Sequence, residues 1–245
     1  MDDLESVTQL PDDFDGRVRL FPLPGLVLFP HAMQPLHVFE PRYCEMLAEA
    51  LETDELIAVT TLTGGITDTV NNQPPVASTI CIGRIVSHAE LEDDRHNILL
   101  VGAKRARIIR EVDAGRPFRI AEVEPYSDIY PPSGADKRRD LKHELLEAFG
   151  SIIPASANVQ KNLHELMAGQ MGLGPITDII AYTLPFEPEE KLQLLAEPDV
   201  DARASQLVTL LQSGSVQLHS VSIQETALED PAVPDDKFPP PFSLN

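Results

Sequence analysis

The sequence predicts an α+β fold in which a β-rich unit is followed by a bundle of helices. From residue 17 to residue 125, short apolar segments rich in β-branched residues are separated by prolines and polar turns. From residue 130 to residue 213, apolar residues instead recur every three or four positions, as they do in amphipathic helices. We therefore predict a disordered acidic N-terminus (1–16), a β-rich subdomain (17–129), a helical bundle subdomain (130–213) and a disordered, acidic, proline-rich tail (214–245).

Several segments of the β-rich part are typical of strands. They lie at residues 18–21, 26–29, 36–39, 55–62, 79–88, 97–102, 104–112 and 118–124. The polar stretch 90–96 predicts the turn of a hairpin. Prolines interrupt or end several segments, and a proline lacks the N–H that a central strand needs. Short, proline-broken strands with few flanking helices favour a curled sheet or a partial barrel.

One helix is predicted among the strands, and it begins at Pro41. Proline loses no hydrogen bond at the first position of a helix. The apolar residues of this helix share one face, which we expect to be buried: Tyr43, Met46, Leu47, Ala50 and Leu51. Residues 64–78 carry Gly-Gly, Asn-Asn and Pro-Pro pairs and predict a long exposed loop. Further helices are predicted at 136–149, at 156–171, from Pro175, at 187–195 and at 199–211.

The charge balance excludes several classes of partner. The chain has 39 acidic and 19 basic residues, for a formal net charge of −20. Recognition of phosphate relies on clustered Lys and Arg, so we expect neither nucleic acid nor an anionic membrane as a partner. The basic clusters at 104–107 and 137–139 are expected to be solvated or to pair with acids. Residues 1–15 lack the basic and apolar stretches of a secretory signal, and with two cysteines a cytoplasmic location is expected.

Sequence signatures of catalysis and of cofactor binding are missing. The chain contains no GxxxxGK[ST] loop for phosphates, no HExxH pair for zinc and no GxSxG turn for a nucleophile. The seven histidines are scattered, and Cys44 and Cys81 are expected to be inert apolar residues. The acids at 92–94 lack the spacing of a calcium loop and are typical of a hairpin tip. We therefore predict no catalytic residue, no metal site and no cofactor.

Several motifs together resemble the Lon protease N-terminal (substrate-binding) domain family. They are RLFPLPGLVLFP at 19–30, PLHVFEPRY at 35–43, CIGRIV at 81–86 and ILLVGAKRARI at 98–108, with a weaker echo at 184–195. The similarity extends over residues 17–211, and its most specific part is 35–43. The resemblance implies a PUA-like pseudo-barrel with one interrupting helix, followed by a C-terminal helical bundle. At the hairpin tip, where the family often carries Asp-Gly, this chain has Asp94-Arg95-His96.

The resemblance also implies a function. We expect a non-catalytic protein-binding module that engages exposed or unfolded polypeptide as an adaptor or client binder. We expect a stand-alone domain without the ATPase and peptidase modules of a full Lon protease, and no enzyme. The alternative is an enzyme, a hydrolase with an unrecognised carboxylate site, because an acid-rich chain brings carboxylates together by chance. Nucleic-acid binding by analogy with PUA-like folds rests on fold alone, and the charge opposes it.

Individual polypeptide-binding residues are not assigned from the sequence. Glu40, Arg42 and Tyr43 are expected to hold the junction between strand and helix, and Phe39 is expected to be buried there. Strand edges near Pro22, Pro24 and Pro30 are the expected places for an extended chain to add on through main-chain hydrogen bonds.

The acidic tail is predicted to be dispensable for folding. Residues 215–245 have no periodic apolar pattern, so their deletion is expected to remove little buried area. We expect the free energy of unfolding to fall by less than about 2 kcal/mol, the contribution of one large buried side chain. Thermal midpoints of the full and shortened chains measure this difference, and a larger loss would show that the tail docks on the folded part.

Overall fold

The structure, a computed structural model, describes residues 7–64, 73–152 and 171–214. Its strands are β1 (Arg17–Leu23), β2 (Met33–Val38), β3 (Leu56–Thr61), β4 (Thr79–Glu90), β5 (His96–Val112) and β6 (Arg119–Tyr126). Its helices are α1 (Pro41–Glu52), α2 (Arg138–Ile152), α3 (Leu173–Thr183), α4 (Pro188–Ala196) and α5 (Val200–Gln212). The predicted α+β class is confirmed. The helix predicted at 156–171 lies, except for its last residue, outside the described residues, and so do residues 65–72 of the predicted loop.

The strands form one sheet that closes on itself. Their order is β2-β5-β4-β3-β1-β6, and β6 also pairs with β5. Strand β1 runs parallel to β3, whereas the other pairs are antiparallel. The long strand β5 pairs with β2 through residues 96–101 and with β6 through residues 105–112. Within the described part of the chain, β2 therefore has a neighbour on one side only and lies outside the closed ring.

Two apolar clusters form on the two sides of the sheet. Because side chains alternate along a strand, one set points into the ring and the other points outward. The inner cluster consists of Val18, Leu20, Leu56, Ala58, Ile80, Ile82, Ala106, Ala121 and Val123. The outer cluster joins strand residues such as Phe29 and Leu100 to α1 and to the C-terminal helices. Strand β3 is buried along its whole length because it contributes to both clusters.

Helix α1 forms where the sequence predicts it. Pro41 occupies the first turn, and four apolar residues of the predicted face are buried: Tyr43, Met46, Leu47 and Ala50. Helices α4 and α5 begin at the predicted signals Pro188 and Asp199, whereas α3 begins at Leu173, two residues before the predicted Pro175. The side chain of Asp199 accepts hydrogen bonds from the backbone N–H groups of Asp201 and Ala202 at the start of α5. Such a cap pairs donors that a helix N-terminus otherwise leaves free.

Two segments differ from the expectation. The apolar run 26–29 was predicted as a strand, but it is an irregular buried segment between Gly25 and His31, which both have a positive φ. The expected disordered N-terminus extends to residue 16, yet Leu10 and Phe14 pack against the inner cluster. Arg84 also donates hydrogen bonds to the carbonyls of residues 7 and 9, so residues 7–16 have defined contacts.

Candidate polypeptide-binding surface

An apolar stripe runs along the exposed face of β2. We call it the β2 stripe, and it consists of every second residue of the segment: Met33, Pro35, His37 and Phe39. Between them, the side chains of Leu36 and Val38 point into the outer cluster. Met33 is 59% exposed and Phe39 is 61% exposed. The His37 and Phe39 rings stack with centroids 5.7 Å apart, so the stripe continues past the end of the strand. At about 3.3 Å per residue, it is about 20 Å long.

The exposure of Phe39 contradicts the expectation that this side chain is buried at the junction. Leu36 and Val38 are buried, and the next residue of an extended chain must point to the opposite face. The sequence already contained this alternation, because His37 and Phe39 are two residues apart and therefore lie on the same face of an extended chain. The expectation was wrong because it used hydrophobicity alone. A large apolar side chain on the exposed face of a strand stays exposed unless another element covers it.

The main-chain edge of β2 is partly blocked. The carbonyl of Met33 accepts a hydrogen bond from the Tyr182 hydroxyl at 3.2 Å, and the carbonyl of Pro35 accepts one from the Gln34 amide at 2.7 Å. The same hydroxyl lies 2.6 Å from the Gln34 side chain oxygen, so its one proton is shared between the two acceptors. Pro35 itself has no N–H to offer. Prolines and side chain contacts of this kind protect edge strands from pairing with other chains. A ligand can therefore contact the side chains of the stripe more readily than the backbone N–H and C=O groups of β2.

Two of the three edges expected near the N-terminal prolines are not accessible. Pro22 and Pro30 are buried, and only Pro24 among the three is exposed. Pro22 lies in β1 beyond Leu20, the last residue of this strand that pairs with β6. On its other side Pro22 pairs with Thr60 of β3, and because it is buried there it opens no edge at the surface.

The surroundings of the β2 stripe are acidic at one end. The hairpin tip between β4 and β5 carries exposed acids at positions 92, 93 and 94, and it adjoins the end of β2 because Val38 pairs with His96. Asp93 and Asp94 both have a positive φ, which Asp tolerates better than most residues do. The turn thus closes without an Asp-Gly pair. Negative charge beside an apolar stripe favours ligands with basic residues.

The residues after the stripe form a structural junction, as expected. Glu40 precedes α1, and its carboxylate accepts hydrogen bonds from the Arg42 guanidinium at 2.7 and 3.0 Å. Arg42 lies over the Tyr43 ring, 4.5 Å from its centroid, and the Tyr43 ring packs against Phe21 at 4.6 Å. Burial raises the pKa of Tyr43. Tyr43 thus packs α1 against β1, whereas the pair of Glu40 and Arg42 lies exposed at the start of the helix.

A buried ion cluster connects the closed sheet to the helices. It consists of Arg105 on β5, Asp128 after β6, Asp178 on α3 and Arg203 on α5. Arg105 contacts Asp178 and lies 2.9 Å from Asp128, while Arg203 lies 2.8 Å from Asp128 and 3.3 Å from Asp178. Complete burial raises the pKa of Asp178, against the opposing effect of Arg105 and Arg203. Both carboxylates of this cluster are neutralised by arginines and Asp178 is fully buried, so the cluster offers no exposed acid–base pair.

The cysteines and the remaining charged groups show no catalytic arrangement within the described residues. Cys81 is fully buried, and burial raises the pKa of its thiol. Burial also raises the pKa of the Cys44 thiol, which donates to the Asp94 carbonyl at 3.3 Å. In the same ranges, no three metal-ligating side chains come together. No helix in the described ranges is both long enough and apolar enough to cross a membrane.

Comparison with known proteins assigns the family. Residues 17–213 match the ATP-dependent protease La (LON) substrate-binding domain. The chain belongs to this family. The resemblance drawn from the sequence motifs is therefore confirmed, and it covers both the strands and the C-terminal helices. Members of the family are protein-binding modules, and the match contains neither a peptidase nor an ATPase domain.

Individual relatives agree with this assignment. The Lon protease of Roseiflexus castenholzii (strain DSM 13941 / HLO8) is 28% identical over 207 residues, which are 84% of this chain and 25% of that protein. The Lon protease of Escherichia coli (strain K12) is 23% identical over 199 residues, which are 80% of this chain and 24% of that protein. The chain thus spans about a quarter of the length of these relatives.

Solved structures share the fold. A Lon N-terminal domain protein from Xanthomonas campestris superposes with a TM-score of 0.55 at 22% identity, covering 79% of this chain and 97% of that one. The N-terminal domain of Mycobacterium avium complex Lon protease gives a TM-score of 0.61 at 13% identity, covering 81% of this chain and 99% of that one. A closed sheet followed by helices is thus an architecture that this Lon substrate-binding domain has in common with both.

Proposed function

We propose that this Lon substrate-binding domain holds exposed or unfolded polypeptide segments without catalysing a reaction, as an adaptor or client binder, and that the β2 stripe is the contact surface. The observation that carries the proposal is the exposure of Met33 and Phe39 at the two ends of one strand face. Large apolar side chains that a fold leaves uncovered in one row commonly mark a binding surface. A folded client keeps its own apolar residues buried, so such a row favours extended or unfolded chains.

The dimensions of the stripe set the size of the ligand. A row of about 20 Å accommodates about six residues of extended chain. Because Pro35 and the side chains of Gln34 and Tyr182 occupy the main-chain edge, we expect recognition through apolar side chains of the client. Ordering a flexible segment costs free energy. The dissociation constant is therefore expected to be micromolar or weaker, which corresponds to about −8 kcal/mol at best.

Binding of an unfolded client tests the proposal directly. Fluorescence anisotropy of a labelled, permanently unfolded protein is expected to rise with this domain, whereas the folded form of the same protein gives no change. Replacing Phe39 by Ser is expected to weaken binding about tenfold or more, since burying a large apolar side chain contributes about 1.5–3 kcal/mol. Equal binding of folded and unfolded forms, or unchanged binding by the variant, would contradict the proposal.

The matched control is Ile109→Ser. Ile109 is 63% exposed and therefore as accessible as Phe39, but it lies on the half of β5 that pairs with β6, away from β2. We expect this variant to bind like the parent. Phe39→Ser is also expected to leave the free energy of unfolding within about 0.5 kcal/mol of the parent, as is usual for surface substitutions. Urea unfolding of both variants confirms that affinity, and not folding, has changed.

The charge of a client peptide is expected to change its affinity for the stripe. With a net charge of −20 and an acidic hairpin tip beside the stripe, basic-apolar peptides should bind more tightly than acidic-apolar peptides of the same length. Added salt should narrow the difference, because it screens exposed charges beyond about 10 Å at 0.1 M. Two peptides that differ only in Lys against Glu, titrated at low and high salt, measure this effect. A preference for the acidic peptide would contradict the placement of the site.

The non-catalytic part of the proposal has its own test. The described residues contain no arrangement of nucleophile and base, and the carboxylates of the ion cluster are paired with arginines. Purified protein is therefore expected to turn over neither ATP nor a labelled unfolded substrate. Hydrolysis of ATP or of the unfolded substrate by the pure domain would favour the hydrolase alternative, provided that substituting carboxylates of this domain abolishes it.

A further inference from the structure

Two imidazole rings face each other on the hairpin formed by β4 and β5. The Nε2 atom of His88 lies 3.0 Å from the Nδ1 atom of His96, and the ring centroids are 5.1 Å apart. Glu90 pairs with His96 and His88 pairs with Ile98, so the two histidines lie diagonally across the strands on one face. Both rings reach solvent. Among the described histidines, no other pair has its rings in contact.

We propose that His88 and His96 form a binding site for a divalent transition metal ion of the zinc or nickel class. Zinc binds histidine nitrogen at about 2.0–2.1 Å, so two nitrogens at a tetrahedral angle are about 3.4 Å apart. At the right angle of a square or octahedral site, they are about 2.9 Å apart. The separation of 3.0 Å lies between these two values. Both ligands are thus already at the spacing that one ion requires.

The backbone needs no reorganisation to supply this spacing, but the proton of the hydrogen bond between the two rings must move from the facing nitrogen to the far nitrogen of its ring when the ion binds. Both histidines lie within strands joined by the ladder of a single hairpin, and sites on regular elements hold ligands more rigidly than sites on loops do. Each neutral ring binds the ion through the lone pair of the facing nitrogen and carries its one proton on the nitrogen that faces away. The neutral ring is the form that binds metals.

The site has two protein ligands, and water completes the coordination. The affinity is accordingly that of a two-point chelate, below that of a structural zinc site with four protein ligands. The bound ion would join β4 to β5 next to the turn, in addition to the backbone ladder. Since the turn adjoins the end of β2, the ion would also place positive charge beside the acidic hairpin tip.

Titration with zinc chloride, followed by calorimetry on protein without a histidine tag, tests the site. We expect one ion per chain, and a loss of affinity of at least about tenfold in His88→Ala and in His96→Ala, because either change removes chelation. His143→Ala is the matched control, since His143 is exposed on α2, where its ring lies 3.2 Å from the carboxylate of Glu147 and away from the hairpin. This variant is expected to bind zinc like the parent.

Three further measurements distinguish loss of the metal site from loss of the fold and from zinc binding at Cys44. His88→Gln and His96→Gln retain a polar side chain, and circular dichroism of all variants shows that the fold is kept. Ring nitrogen resonances of the two histidines are expected to shift together as zinc is added. Cys44→Ser is expected to leave the affinity unchanged. Unchanged zinc affinity in both histidine variants, or a loss in Cys44→Ser as large as theirs, would overturn the two-histidine site.

Discussion

Replacing Arg105 by alanine is expected to lower the free energy of unfolding by about 3–5 kcal/mol, the usual cost of removing one partner from a buried ion pair. The guanidinium of Arg105 contacts Asp178, lies 2.9 Å from Asp128 and donates to the carbonyl of Leu195 at 3.1 Å. Its side chain is only 3% exposed. Burial alone would lower the pKa of Arg105, but Asp178 and Asp128 outweigh it and raise this pKa.

The large effect follows from what the substitution leaves behind. Asp178 is fully buried, and without Arg105 a single arginine, Arg203, remains to compensate two carboxylates. The carbonyl of Leu195 also loses its donor. Because Arg105 lies on β5 and its partners lie on the segment after β6, on α3 and at the end of α4, the loss loosens the attachment of the helices to the closed sheet. A buried charge cluster is costly to break even where it contributes little net stability when intact.

Two further variants separate charge from packing in a urea-unfolding series. Arg110→Ala removes an arginine from the same strand, but Arg110 is 63% exposed and pairs with Glu122 at the surface, so we expect a loss of about 0–1 kcal/mol. Arg105→Met fills most of the volume and removes the charge. If Arg105→Ala unfolds within about 1 kcal/mol of the parent, the cluster does not hold the helices to the sheet.

The local features of this fold could be predicted because their causes are local. Pro41 at the start of α1, the apolar face of that helix and the Asp199 cap of α5 each depend on residues within one or two turns. The hairpin of β4 and β5 likewise follows from two apolar segments around a polar turn. In each case, one pattern in the sequence specifies one backbone conformation.

The candidate sites depend on contacts that no local pattern records. Arg105 was expected to be a solvated residue or a partner for acids, and the sequence could not say that Asp128 and Asp178 would be those acids. His88 and His96 were expected to be scattered imidazoles, either solvated or locally hydrogen-bonded, and the register of the hairpin brings their rings together. For Phe39, by contrast, the sequence was sufficient. The alternation along β2 places this side chain on the exposed face, and only its hydrophobicity suggested burial.

Replacing Gly102 by alanine is expected to lower the free energy of unfolding by at least about 3 kcal/mol, the upper end of the range for overpacked cores. Gly102 lies in β5 where the segment after Phe29 crosses the strand. A Cβ atom at this position would lie 1.9 Å from the carbonyl oxygen of Phe29 and 2.7 Å from its carbonyl carbon. These are backbone atoms, so no change of rotamer relieves the contact.

The backbone on both sides of Gly102 is also fixed by hydrogen bonds. The N–H of His31 donates to the Gly102 carbonyl, and the N–H of Gly102 donates to the Ala32 carbonyl, both at 2.8 Å. Moving the crossing segment away would break these bonds and pull Phe29, which is fully buried, out of the outer cluster. His31 has a φ of 66°, so the segment turns sharply here and has little freedom to shift.

Gly83→Ala is the matched comparison, because Gly83 lies opposite Gly102 in the neighbouring strand β4. Its added Cβ would lie 2.6 Å from Cγ of Leu100, which belongs to a side chain and can move. We therefore expect a smaller loss, about 1–2 kcal/mol. Chemical unfolding of both variants shows directly which substitution lowers the free energy of unfolding more. If Gly83→Ala is the more damaging of the two, the fixed backbone crossing at Phe29 is not what requires glycine at position 102.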